Sequence, residues 1–190
     1  MKLRSALALS AALLATPVFS AETYLLDASH SQIVFSYDHL GFSTTYGMFS
    51  GFEGQIQFDQ AEPANSSVEV AFPVRSMLTG WEGRFAHFMS DDFFGAGEDD
   101  LVTFRSTGIE VTGEDTALIT GDLTLNDITR EVVLDARLNA AGMHPMEGRE
   151  WAGFDASTTI LRSDFDLGLF APFVSDAVEI VISIEAMKAE

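Results

Sequence analysis

From Glu22 onward the chain alternates apolar and polar residues with the period of two that marks half-buried strands. Ile33, Phe35, Tyr37 and His39 share one face, while Gln32, Ser36 and Asp38 point the other way. Val68, Val70, Phe72 and Val74 repeat the pattern, as do Val102 and Phe104, then Ile119, Leu123 and Leu125. Val132, Leu134, Ala136 and Leu138 follow, then Phe154, Ala156, Thr158 and Ile160, and last Val178, Ile180, Ile182 and Ile184. Turn chemistry separates the runs at Glu62-Pro63-Ala64-Asn65, Thr112-Gly113-Glu114-Asp115, Asn126-Asp127 and Ala141-Gly142. Gly47, Gly51 and Gly54 open no strand-to-helix turn and read as bends in a curved strand. The pattern amounts to about eight strands without strand–helix alternation, which predicts one all-β domain, an antiparallel barrel or sandwich.

One segment breaks the period. Between Gly80 and Phe94, Trp81, Phe85, Phe88 and Met89 fall at i, i+4, i+7 and i+8, one face of a helix, with Phe93 and Phe94 close behind. This predicts a short amphipathic helix that buries its aromatic face against the sheet, across or into a barrel mouth.

The first residues predict a compartment. Lys2 and Arg4 precede an uncharged run from Ser5 to Phe19, and Val18, Ser20 and Ala21 offer a cleavage site after Ser20 or one residue later. Residues 1–20 therefore read as a signal peptide and residues 21–190 as the exported domain. The apolar run is shorter than the roughly 20 residues a membrane span needs, so no transmembrane anchor is expected after cleavage. The chain has no cysteine, which excludes disulfides and a lipid-modified cysteine.

Charge narrows the partners. The formal net charge of −19 becomes −21 once Lys2 and Arg4 are removed, because the leader holds no acid. So acidic a chain is no nucleic-acid binder, nor does it dock on anionic headgroups through a basic patch. Solubility in saline surroundings and steering of a cationic partner both fit the acidic surface.

Catalytic and metal chemistry find little support. None of His30, His39, His87 and His144 sits at a metal-ligand spacing, and no nucleophile elbow, phosphate-binding loop or dinucleotide fingerprint occurs. His30 at a strand turn and His87 beside Asp91 suit hydrogen-bonding or pairing roles. What stands out instead is 16 Phe, 3 Tyr and 2 Trp. These aromatics either pack a core or line a lipophilic tunnel, and composition leaves both open.

Several stretches in order resemble the YceI-like family. The first is Tyr24-x-x-Asp27-x-x-His30-Ser31-x-Ile33-x-Phe35 with His39-x-Gly41. Gly47-x-Phe49 and Phe52-x-Gly54-x-Ile56-x-Phe58-Asp59 follow. Then come Ser76 to Gly80, Arg84, His87, Phe93-Phe94 and Thr103-Phe104-x-Ser106, and Gly121-Asp122-Leu123-Thr124-Leu125 with Thr129. The last is Ala152-Gly153-Phe154 through Ile160-x-Arg162-Ser163-Asp164-Phe165. Asp127 and Asp166 depart from the pattern, standing where it usually has glycine, and Gly95 to Asp100 lacks its tyrosine-proline.

The resemblance implies a lipocalin-like, eight-stranded antiparallel barrel of the periplasm that encloses a polyisoprenoid or similar long-chain amphiphile. A polyprenyl quinone or its precursor is a candidate cargo, and a homodimer is expected. The expected protein is a carrier or storage protein, not an enzyme, with no cofactor and no metal. On this reading Phe35, Tyr37, Phe49, Phe72, Trp81, Phe85, Phe88, Met89, Phe104 and Phe165 line the tail site. His39, Arg84 and His87 meet a head group, with pairing to nearby acids as the alternative for the last two. Two other readings stand beside it. An enzyme acting on a lipophilic substrate would place a titrating histidine–carboxylate pair inside the cavity. A stress-response or interaction protein would have a filled barrel.

Overall fold

A computed structural model describes residues 20–190; of the expected leader, residues 1–20, all but Ser20 lie outside the described residues. Ten strands form one antiparallel sheet: β1 (Glu22–Leu26), β2 (Gln32–His39), β3 (Ser43–Phe49), β4 (Glu53–Phe58), β5 (Ser67–Pro73), β6 (Leu101–Val111), β7 (Thr116–Leu125), β8 (Ile128–Met143), β9 (Glu150–Leu161) and β10 (Ala177–Lys188). The order β1-β4-β5-β6-β7-β8-β9-β10 closes when β10 pairs back onto β1. That ring is the expected eight-stranded barrel, and closure removes the exposed edges an open sheet would present.

The other two strands share positions in the ring. The first half of β10 pairs with β2 through Ile180↔Phe35 and its neighbours, and the last residues pair with β1 through Leu25↔Met187. β1 and β2 thus act as one strand broken at Asp27 to Ser31, and β3 and β4 as a second broken at Gly51 (φ 72°). The expected glycine bend is there. Lys188 at the seam bonds both Glu22 of β1 (2.6 Å) and Glu150 of β9 (2.7 Å), which holds its ammonium pKa well above the usual lysine range.

Two expected turns close hairpins. Residues 112–115 join β6 to β7, and Asn126-Asp127 join β7 to β8 with φ of 52° and 58°. A two-residue turn with both φ values positive matches the twist of the flanking strands, and Asn and Asp tolerate it better than other non-glycine residues. The turn expected at Ala141-Gly142 does not form. β8 runs through to Met143, with Gly142 paired to Trp151, and the reversal comes at residues 144–149. A bulge between Leu138 and Ala140 lets β8 kink and continue, so the glycine serves the strand and not a turn.

The helix α1 (Glu82–Phe88) is shorter than the expected Gly80–Phe94. At its end the Ser90 hydroxyl donates to the His87 carbonyl, a local bond that competes with helix continuation. Trp81 corrects the sequence reading more sharply: it is the extended residue before the helix (φ −152°) and is 67% exposed. Phe85, Phe88, Met89, Phe93 and Phe94 do pack against the core. The dense core lies under β1 to β6, where Phe49 and Phe52 both pack against Phe72 with tilted rings and Phe58 meets Tyr24 and Phe154 edge-on. Among the described residues no helix is long and apolar enough to cross a membrane.

Candidate functional site

Alternation turns every second side chain of a closed barrel inward, and here the inward residues do not fill the space they enclose. A cavity of about 980 Å³ runs along the barrel. Its walls include Ile33 and Phe35 of β2, Val70 and Phe72 of β5, Val102 and Phe104 of β6, and Ile119 and Leu123 of β7. Val132 and Leu134 of β8, Phe154 and Ile160 of β9, and Ile180 and Ile184 of β10 complete the wall. Ile119, Leu134, Phe154 and Ile180 point inward yet stay only half-buried, because part of their surface faces the void.

One mouth lies where β2, β5, β7 and β9 end, beside α1 and the loop 166–176. His39, Ser43, Thr45, Trp81, Arg84 and His87 line it. Tyr37 approaches Phe88 (6.4 Å), Phe88 approaches Phe93 (5.6 Å) and Phe93 approaches Phe170 (6.3 Å), an aromatic chain linking strand, helix and loop. Of the residues expected at the ligand, Phe35, Tyr37, His39, Phe49, Phe72, Trp81, Arg84, His87, Phe88 and Phe104 line the cavity. Phe85, Met89 and Phe165 lie outside the cavity wall. Phe165 is 1% exposed beneath the mouth loop, and Phe85 lies under the Arg75 guanidinium, 5.5 Å from its ring centroid. Arg84 donates to the Thr79 carbonyl (2.9 Å), and His87 faces Asp92 at 3.8 Å.

Sequence reasoning missed Arg162, which organises the mouth. Its guanidinium donates to the carbonyls of Ser175, Leu167, Leu169 and Val174, pinning the loop that carries Phe170 and Val174 into the wall. Partial burial lowers its pKa, against the opposing pull of Asp176 and Tyr37, but arginine stays a cation. Ser163 donates from both backbone and side chain to Asp176, and the hydroxyl bond, outweighing partial burial, holds that carboxyl below its usual range. Ile109 and Val111 were also missed. A bulge between Ser106 and Gly108 shifts the inward parity of β6 from even to odd numbers, with Gly108 its only sequence trace.

The strongly interacting histidine lies elsewhere. Asp27, His30 and Glu185 bring ligand-type atoms within 4.8 Å of one another at the break between β1 and β2, outside the cavity wall. There Asp27 accepts from Ser29 and pairs with His30. Burial pushes the Asp27 carboxyl up, but the bonds from His30 and Ser29 outweigh it and leave it low. The Asp27 bond and charge raise the His30 imidazole.

The YceI-like domain model matches residues 24–186. The chain belongs to the YceI-like family. A relative from Ectopseudomonas mendocina, named UPF0312 protein, is 38% identical over 97% of this chain and 96% of its own length. One from Azotobacter vinelandii with the same name is 36% identical over 98% of both. Among solved structures, the Campylobacter jejuni YCEI protein aligns with a TM-score of 0.73 and 29% identity, over 80% of this chain and 90% of its own. BcnA of Burkholderia cenocepacia shares the fold, with a TM-score of 0.75 at 24% identity over 84% and 98%. So does a polyisoprenoid binding domain from Saccharophagus degradans, with a TM-score of 0.62 at 16% identity over 87% and 98%. In this YceI-like chain the two glycine departures, Asp127 and Asp166, both keep left-handed backbone, φ 58° and 56°, so the substitutions leave those turns in place.

Proposed function

We propose that this protein is a periplasmic carrier of a polyisoprenoid or similar long-chain amphiphile, exported by its first 20 residues, with the tail in the barrel. The observation that carries the reading is the apolar cavity of about 980 Å³, near the top of the roughly 300–1,000 Å³ range of small-molecule sites. Each methylene transferred from water into it contributes about 0.8 kcal/mol, so a long tail is held firmly without directed polar contacts. His39, Arg84 and His87, with Ser43 and Thr45 beside them, are polar groups at the mouth within reach of a head group. The Saccharophagus degradans neighbour is named for polyisoprenoid binding, which favours the same ligand class here. A binding role is favoured over catalysis because the close histidine–carboxylate pair, Asp27–His30, stands outside the cavity, while His87 at the mouth faces Asp92 only at 3.8 Å.

Native mass spectrometry with organic extraction of protein taken from its own periplasm tests the proposal. A stoichiometric prenyl or acyl species supports it and identifies the cargo, a quinone or precursor included. A clean apo mass, with long-chain lipids then failing to bind, overturns it.

A further inference from the structure

The rim of the helix-side mouth is apolar on its outer surface as well as within. Phe42 is 89% exposed, Phe173 74% and Trp81 67%, with Leu40, Leu78 and Phe170 also exposed beside them. These residues come from three segments that the fold ties together. The Leu40 amide donates to the Phe173 carbonyl (3.1 Å), His39 bridges Val174, and Leu78 bridges Met48 of β3. Leu40 and Phe170 hold φ of 61° and 68°, a region bulky side chains avoid, so the rim keeps them displayed against local strain.

Charge marks the same face. Three tracts without a single Asp or Glu, residues 39–52, 70–81 and 167–175, converge on this mouth in a chain that carries 29 acids. Exposed carboxylates flank these tracts, with Asp38, Glu82, Asp91, Asp92 and Asp166 on this side, as Glu62, Glu114 and Asp115 do in the connections of the opposite end.

We infer that this rim docks on a lipid bilayer with an electrically neutral surface, laying Phe42, Phe173 and Trp81 among the headgroups. The inference rests on the carrier reading for its purpose: a long tail does not exchange readily through water, and a rim seated on a bilayer joins the cavity to the membrane by an unbroken apolar path. The rim's aromatic tips stand on acid-free tracts, and the exposed carboxylates that flank them, Asp38, Glu82 and Asp166, are repelled by anionic headgroups but not by uncharged ones. No basic cluster is present to bind anionic headgroups, so a neutral surface is the fitting one. A second copy on the same face would seal the opening.

Flotation of the intact protein with vesicles of phosphatidylcholine and phosphatidylethanolamine tests this, comparing wild type with Phe42→Ser/Phe173→Ser. Both residues are exposed and neither lines the cavity, so folding and cargo retention are expected to persist. Wild type is expected to float, and the double variant to lose roughly tenfold or more of its partitioning. Added phosphatidylglycerol is expected to weaken binding. A wild type that stays in the aqueous fraction overturns the inference, as does a double variant that floats equally well. If wild type does not float and the double variant turns a dimer into a monomer in sedimentation, the face belongs to a second copy. Cargo, read by extraction, is a separate measure. Vesicle binding without cargo supports the docking face while the carrier reading fails; cargo without vesicle binding overturns the docking face alone.

Discussion

Ala136 faces Ala156 across the β8–β9 ladder, and both turn into the cavity. On the other side Ala136 faces Ala117 of β7, which lines the cavity too. Three neighbouring strands therefore present single-methyl side chains at one level, where an eight-stranded barrel would otherwise be closed by larger ones. Ala136→Phe is expected to block the lumen there. Retention of long-chain lipids falls at least about tenfold, shorter amphiphiles still bind, and stability changes by less than about 1 kcal/mol because the ring enters existing space. Titration with a chain-length series checks this.

Phe35 and Gly47 are cross-strand partners, and the ring lies over the glycine so closely that a Cβ at Gly47 would come within 2.1 Å of the ring's Cζ. Phe35 is also held against Phe49, 5.5 Å between centroids. Gly47→Ala must swing the ring into the lumen, with an expected cost of about 1–3 kcal/mol and a smaller cavity. Thermal melts and lipid retention are expected to fall together.

Trp81 separates a mouth residue from a core residue. At 67% exposure it should behave as a surface position, so Trp81→Ala is expected to shift stability by about 0.5 kcal/mol or less while weakening lipid retention. A large drop in melting temperature with unchanged retention would instead mark it as core.

Arg162→Lys keeps the charge but cannot reach four carbonyls with a planar fork. The part-buried acceptors left behind are expected to cost about 1–3 kcal/mol. Hydrogen exchange should rise locally in residues 166–176, and the arginine variant of no other rim residue should reproduce this.

The Asp27–His30 pair gives stability a pH window. His30 is raised, so its contribution is present below the unfolded imidazole pKa of about 6.5 and is lost as pH rises through the folded value. Asp27 is lowered, so its contribution is present above the unfolded carboxylate pKa and is lost as pH falls through the folded value. The melting-temperature difference between wild type and His30→Gln is expected to peak between about pH 4 and 6.5. A difference that is flat with pH would show the pair to be idle.

Much of the barrel was legible in the sequence because a strand's period of two is a local property. Ile119 and Leu123, Val132 and Leu134, and Ile180 and Ile184 reveal their inward face by alternation alone, and every one of them reaches the cavity. Asn126-Asp127 announced a turn because few other side chains accept its backbone. Ile109 and Val111 stayed hidden because a bulge leaves almost no mark in composition, and Trp81 was misplaced because helical spacing does not say where a helix starts.

The tertiary structure alone decided the rest. Closure depends on β10 pairing with both β1 and β2, contacts between chain ends that no local pattern encodes. Whether the aromatics fill the barrel or leave it open depends on volumes summed across strands far apart in sequence. The dense packing of Phe49, Phe52 and Phe72 on one side, and the alanines 117, 136 and 156 on the other, leave a void where alternation could only predict an interior.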